Sequence, residues 1–275
     1  MKIAYQGIPG SYSESCAKKN YPECETISCK TFEECFEMAN NDSSIRTIIP
    51  ESNKTTGNIG IEYLIFKFRL NIYAEHFYKI SHNLLGIKGS KIENIKNVYS
   101  HAQALGQSSV FIKKHNLNEQ VRADTAGSAK YVSETNDSSK AAIASSLSAE
   151  IYGLEVIDKD IQDNKENFTR FLLMGKDIIQ PENDKKLYVT SFLFKLKSKP
   201  AALYSSLQGM AINGVNMIKL QSFPEKNSFS SYFFLCEVEG HLNEQKIKNS
   251  LEDLNYHCED MSVLGVFEAD KLRKK

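Results

Sequence analysis

The chain has 275 residues, 34 Lys plus Arg against 34 Asp plus Glu, 41% hydrophobic and 25% charged residues. This composition allows roughly two globular domains and provides no net field to draw nucleic acid or an anionic membrane. No apolar run approaches the ~18 residues of a membrane span, and the 6 cysteines form neither a CxxC pair nor a zinc-like His spacing, so free thiols and no metal are expected.

Lys2–Gln6 reads as a strand without the long apolar segment of a signal peptide, which points to a cytoplasmic protein. The loop Gly7-Ile8-Pro9-Gly10-Ser11-Tyr12-Ser13-Glu14 follows, and Ser11 or Ser13 can cap a helix running to about Lys19. The loop is not GxGxxG, which rejects a dinucleotide fingerprint. A strand at Glu25–Ser28 and a helix from Thr31 with Glu34 as its capping-box partner come next. A strand at Thr47–Ile49 is expected to stop at Pro50 and open into Glu51-Ser52-Asn53-Lys54-Thr55-Thr56-Gly57-Asn58, with a helix over Ile59–Phe68. Asn71–Ile87 is extended and carries His76 and His82.

Strand–helix alternation then resumes. Asn97–Ser100 is a strand with Ser100 as the expected cap of a helix at His101-Ala102-Gln103-Ala104. Val121–Ala123 leads to a capped helix at Asp124-Thr125-Ala126, and Ala141–Ala144 to a helix from Ser145-Ser146 to Tyr152. Glu155–Ile161 returns the chain to Asp163–Met174, where a polar loop becomes an apolar run interrupted only by Thr169 and Arg170. An unpaired buried charge is costly. A hydroxyl beside a guanidinium at a strand mouth is therefore suited to gripping a carboxylate; a capping threonine and a salt-bridged arginine are the plainer alternative. Polar loops that repeatedly follow strands and precede helices suggest a cleft lined by helix N-termini, fit for a small dianion.

Gly175–Lys186 reads as a linker. Beyond it come an alternating strand (Phe192, Phe194, Leu196), a helix (Leu203, Leu207, Met210, Ala211) and strands at Asn216–Phe223 and Ser230–Glu239. A second helix (Ile247, Leu251, Leu254) and a last strand at Met261–Phe267 complete a βαββαβ, ferredoxin-like unit.

Several segments carry a specific resemblance: Ala4-Tyr5-Gln6-Gly7 with Gly10-Ser11-Tyr12-Ser13-Glu14, Ser100-His101-Ala102-Gln103-Ala104-Leu105, Asp124-Thr125-Ala126, Ala141-Ala142-Ile143-Ala144 and Asn167-Phe168-Thr169-Arg170-Phe171. In this order and spacing the chain resembles prephenate dehydratases with a C-terminal ACT regulatory domain. The resemblance implies an α/β, two-lobed periplasmic-binding-protein-like catalytic domain over 1–178, with lobe 1 at about 1–77 and 155–178 and lobe 2 at about 78–154. A ferredoxin-like ACT domain over 187–270 would follow. It further implies a homodimer or homotetramer, no cofactor, prephenate as the dianionic substrate and L-phenylalanine as an effector at the ACT interface.

By residue, the resemblance implies Thr169 as the catalytic hydrogen-bond donor, and Ser13, Asn53, Thr56, Ser100, Gln103, Thr125, Arg170 and Phe171 as substrate-binding residues. Arg170 would pair with a substrate carboxylate or brace the loop, and His101 fits a cap better than a base. The family's Pro-x-Glu-Asn-Ser-x-x-Gly is here Pro50-Glu51-Ser52-Asn53-Lys54-Thr55-Thr56-Gly57, so Glu51 or Lys54 is left to compensate. The effector residues are eroded: Ala201-Ala202-Leu203 stands for Gly-Ala-Leu, and Gln221-Ser222-Phe223-Pro224 for Glu-Ser-Arg-Pro, while Asn216 is kept. Weak or absent inhibition by phenylalanine is expected. Arogenate dehydratase is the nearest alternative function, and a non-catalytic amino-acid-sensing protein the more distant one.

Overall fold

The computed structural model describes residues 1–184, 186–225 and 231–274. The chain begins with β1 (Lys2–Gln6), α1 (Tyr12–Asn20), β2 (Glu25–Cys29), α2 (Phe32–Asn41), β3 (Ile45–Asn53), β4 (Gly57–Asn58), α3 (Glu62–Phe68), β5 (Asn71–Lys79) and β6 (Asn83–Gly86). Then come β7 (Asn97–His101), α4 (Ala102–Gly106), α5 (Ser109–Lys114), β8 (Asn118–Arg122), α6 (Thr125–Thr135), β9 (Lys140–Ala144), α7 (Ser146–Tyr152), β10 (Glu155–Asp158) and β11 (Phe168–Gly175). The last elements are β12 (Tyr188–Leu196), α8 (Ala202–Ile212), β13 (Met217–Pro224), β14 (Tyr232–Glu239), α9 (Gln245–His257) and β15 (Cys258–Glu268). Ser230, the expected start of β14, and Lys185 of the expected linker lie outside the described residues.

Three sheets result, with strand orders β2-β1-β3-β11-β5 (β4 pairing β3), β10-β6-β9-β7-β8 and β13-β14-β12-β15. By contacts the chain divides into two compact units. One comprises Met1–Cys35, Ile48–Ile59 and His76–Phe171, the other Phe36–Thr47, Gly60–Glu75 and the chain from Leu172 onward.

In the first unit the central strands β6 and β9 of the second sheet are buried on both faces. Along β9, Ala141 and Ile143 join Leu84, Val98 and Leu105 in one core, while Ala142 and Ala144 join Leu85, Ala129 and Val132 in another. The period-2 side-chain alternation of a strand produces this split, and the short alanines let helices approach closely. In the second unit Phe192 and Phe194 of β12 pack with Cys236 and Val238 of β14 and with Ile247, Leu251 and Leu254 of α9. The order β13-β14-β12-β15, antiparallel along the β12–β14, β12–β15 and β13–β14 ladders, is the ferredoxin-like arrangement expected for βαββαβ.

Several local expectations need correction. β3 does not stop at Pro50 but continues to Asn53, where Ser52 and Asn53 pair with Asn58 and Gly57 of β4. Proline's fixed φ is compatible with extended backbone, and only its missing donor is lost to the ladder. α3 accordingly starts at Glu62, after β4, instead of Ile59. The extended run Asn71–Ile87 is broken between β5 and β6, so that Ile80–His82 forms a connection. The helix after β7 is capped by His101, whose Nδ1 accepts from the Gln103 N–H, and not by Ser100. Ser100 is fully buried and its hydroxyl donates to the Ile143 carbonyl at 2.6 Å.

The Gly7–Gly10 loop is held closely. Ser145 and Ser148 hydroxyls donate to the Gly10 carbonyl at 2.6 and 2.8 Å. Gly10 has φ +92°, and a Cβ there would lie 2.6 Å from Ser148 Oγ. Gly10→Ala is therefore expected to destabilise the protein by about 1–3 kcal/mol, lowering Tm by several degrees in a thermal melt. An unchanged Tm would count against this tight packing.

Candidate active site

The sequence places Asn53 at the end of β3 and Thr169 near the start of β11, and β3 and β11 are neighbours in the first sheet. A backbone bond from the Lys54 N–H to the Phe168 carbonyl at 2.8 Å ties the two strand ends together. Asn53 Oδ1 then accepts from the Thr55 and Thr56 N–H groups at 2.9 and 3.1 Å, and from the Thr56 hydroxyl at 3.3 Å. With its oxygen committed, its Nδ2 is the donor: it bonds Thr169 Oγ1 at 2.8 Å and Asn167 Oδ1 at 2.8 Å. An asparagine amide offers two donors and one oxygen, so the whole group is used.

Asn167 is 1% exposed and passes the pattern on, its Nδ2 donating to Gln107 Oε1 at 3.0 Å. Gln107 is the C-cap of α4. His82, 2% exposed, places Nε2 at 2.9 Å from the same Gln107 oxygen, and its Nδ1 lies 2.7 Å from the Tyr12 hydroxyl. Burial lowers the His82 pKa, against the opposing effect of the Gln107 hydrogen bond. Burial likewise raises the Tyr12 pKa.

Arg170 is placed differently from its neighbour. It is 5% exposed and its Nη1 lies 3.4 Å from Glu51 Oε2, an oxygen that also accepts from the Ser52 hydroxyl at 2.7 Å. The guanidinium thus meets a buried carboxylate of the protein, the contact that a bracing role would need. Two opposite charges buried this close favour each other, because a charge left unpaired in the interior is costly. Lys54 meets Glu166 at 2.6 Å in an exposed pair, of a kind worth little to stability.

The remaining expected residues fall into two groups. Ser13 (on α1), Thr56, Gln103 and Thr125 stand at helix starts or in the Asn53 loop, with Thr56 and Gln103 exposed. Ser100 and Phe171 are interior: Ser100 is occupied by the Ile143 carbonyl, and the Phe171 ring is 2% exposed with Tyr78 edge-on at 6.3 Å. At α6 the cap is Asp124, accepting from the Gly127 N–H at 2.5 Å, so the Thr125 side chain is not used for capping. The effector positions lie in the second unit. Ala201 takes a left-handed φ of +57° just before Ala202 and Leu203 on α8, Asn216 Nδ2 donates to Glu239 at 2.8 Å, Gln221 donates to Glu62 at 2.7 Å, and Ser222 is exposed.

Tyr12, His82, Gln107 and Asn167 were not singled out as site residues from sequence. Gln107 stands four residues beyond Gln103, one helical turn on, and Asn167 lies two before Thr169; those spacings were the available signals. His82 offered none, since only the fold brings it to Gln107.

Removing Arg170 would take away the opposite charge that lies 3.4 Å from the buried Glu51 carboxylate. Arg170→Met is expected to cost about 3–5 kcal/mol, whereas Glu51→Leu with Arg170→Met should recover much of the loss. Denaturant unfolding of the two variants measures this. A stable Arg170→Met with a large rise in KM would instead return Arg170 to the substrate.

Residues 3–178 match the family described as Prephenate dehydratase. The chain is 36% identical to Arogenate dehydratase 2 of Petunia hybrida, over 98% of this chain and 72% of that protein. It is 33% identical to the bifunctional N-acyl-homoserine lactone acylase/prephenate dehydratase of Komagataeibacter europaeus, over 99% of this chain and 98% of that one. A solved prephenate dehydratase of Arthrobacter aurescens in complex with L-Phe superposes with a TM-score of 0.87 at 23% identity, covering 98% of this chain and 90% of that chain. The fold is thus α/β, periplasmic-binding-protein-like and two-lobed, with a ferredoxin-like unit following it. By sequence and by fold, the chain belongs to the prephenate dehydratase family.

Proposed function

We propose that the protein is a prephenate dehydratase acting in L-phenylalanine biosynthesis, a carbon–oxygen lyase that converts prephenate to phenylpyruvate. The observation that carries this reading is the bond from Asn53 Nδ2 to Thr169 Oγ1 at 2.8 Å. Because Asn53 donates, the threonine oxygen accepts, and the threonine proton is directed elsewhere. A departing hydroxide needs such a donor. In the reaction the bond from the ring to its carboxylate breaks and CO2 leaves. The electron pair enters the ring, the C4–O bond breaks, and the oxygen departs with its pair. Thr169 donates its hydrogen bond to that oxygen as negative charge develops on it, and a water relay completes the proton transfer. Threonine is a very weak acid, so directed hydrogen bonding contributes more here than full proton transfer.

Ser13, Thr56, Gln103 and Thr125, which present hydroxyls or an amide near helix starts, serve the two substrate carboxylates. Arg170 supports the strand pair through Glu51. The catalytic domain spans 1–178, and the unit at 187–270 is an ACT domain kept for assembly of a cytoplasmic homodimer or homotetramer. Support for eroded regulation comes from Ala201, which holds a left-handed conformation that glycine adopts more readily.

Arogenate is the second reading, favoured by the plant relative at 36% identity that is named for it; kcat/KM for the two substrates separates them. Thr169→Ala should lower kcat by about two to four orders of magnitude with an unchanged melt, followed as phenylpyruvate absorbance in base. Near-normal turnover would end the assignment. Titrating L-phenylalanine into the assay should give weak or no inhibition, and cooperative inhibition at low micromolar effector would contradict the lost regulation.

A further inference from the structure

The side chains from Thr169 to Tyr12 form one hydrogen-bonded chain, and its polarity is set from the backbone. The Thr55 and Thr56 N–H groups can only donate, so Asn53 Oδ1 must accept. Asn53 Nδ2 therefore donates to Asn167 Oδ1, and Asn167 Nδ2 in turn donates to Gln107 Oε1. With that oxygen an acceptor, His82 Nε2 at 2.9 Å must carry a proton to bond it. In a neutral ring Nδ1 then accepts, and the Tyr12 hydroxyl at 2.7 Å is there to donate. The same hydroxyl donates to the Ser81 carbonyl at 2.9 Å, so its single proton is shared between that oxygen and Nδ1, while the His82 N–H donates to Gln162 Oε1 at 2.9 Å and holds the ring at its backbone as well. Both Asn167 and His82 converge on Gln107 Oε1, which directs the N–H groups of that amide away from the cluster.

We infer that His82, buttressed by Tyr12, is a positioning residue for the reaction: by donating from Nε2 it fixes which way round the Gln107 amide sits, leaving the Gln107 N–H groups and the Thr169 proton as the donors offered to substrate. This rests on the reading of Thr169 and Asn53 as the reacting site. Without the Nε2 donor, Gln107 Oε1 keeps one partner and the amide can invert. Inversion would set two N–H groups against each other at Asn167 and loosen the asparagine that holds Thr169.

The experiment uses the full chain with prephenate and with arogenate. His82→Leu should lose about 10- to 100-fold in kcat with KM changed less than about three-fold, since orientation in the transition state and not ground-state binding is affected. His82→Gln, which returns an N–H donor near Nε2, should recover most of the loss. Tyr12→Phe, a milder change, should lose about three- to ten-fold in kcat. In a Gln107→Ala background, His82→Leu should have little further effect, because a residue acting through Gln107 has nothing left to act on. Additive losses in that double variant, or no rescue by His82→Gln, would overturn the inference.

A long-range proton–nitrogen spectrum of the histidine rings is independent of activity. It should show His82 protonated at Nε2 and a shift toward mixed tautomers in Tyr12→Phe. A wild-type ring protonated at Nδ1 alone would overturn the inference whatever the turnover. A wild type inert toward both substrates, with the Nε2 tautomer present, would overturn the proposed reaction and the catalytic part of the inference together.

Discussion

Everything in the site depends on two backbone N–H groups that point at one asparagine oxygen. Thr55 and Thr56 present donors that no rotation or tautomer can reverse, and Asn53 Oδ1 takes both. Once that oxygen is spoken for, the rest of the asparagine has no choice but to donate, and Thr169 and Asn167 receive its two protons. A threonine hydroxyl free to rotate would have no preferred direction for its proton. One that already accepts from an amide does.

The strand ends make this possible. β3 runs past Pro50 to Asn53, and β11 begins at Phe168, so a single bond from the Lys54 N–H to the Phe168 carbonyl sets Asn53 beside Thr169. Behind them the Arg170–Glu51 pair occupies the interior with 5% and 3% side-chain exposure. Such a pair is weak evidence for stability, because desolvation offsets its attraction. It links the neighbouring strands β3 and β11 through two buried side chains. Thr169 and Arg170, neighbours in sequence, thus meet different partners: the Asn53 amide and the buried Glu51 carboxylate.

This division bears on the departure from the family's loop pattern. Lys54 and Ser52 stand where the family has serine and glutamate. Ser52 donates to Glu51, Glu51 pairs with Arg170, and Lys54 reaches the exposed Glu166. The acidic group is therefore present one residue earlier, turned into the protein, and Asn53 keeps its place. The rearranged loop keeps an asparagine at that position while exchanging the residues around it.

Periodicity and composition alone determined the alternation of strands and helices, the βαββαβ unit and the apolar entry of β11, because these follow from which side chains must leave water. The alternating Phe192 and Phe194 and the helical spacing of Ile247, Leu251 and Leu254 were legible for that reason, and all of them are buried in one core. The special weight of Thr169 and Arg170 was legible too, since polar residues in an apolar run demand partners, while Asn53 stood out only by the family resemblance. Which partners they found was not. Glu51 and Arg170 are 119 residues apart, Asn53 and Thr169 116, and His82 and Gln107 25, and no local pattern links such positions. The same holds for the exchange of Ser100 for His101 as a cap: either side chain could reach the helix start, and the Ile143 carbonyl on a neighbouring strand claimed the serine. Local propensity decided the elements, whereas only the closing of the sheets decided which donor meets which acceptor.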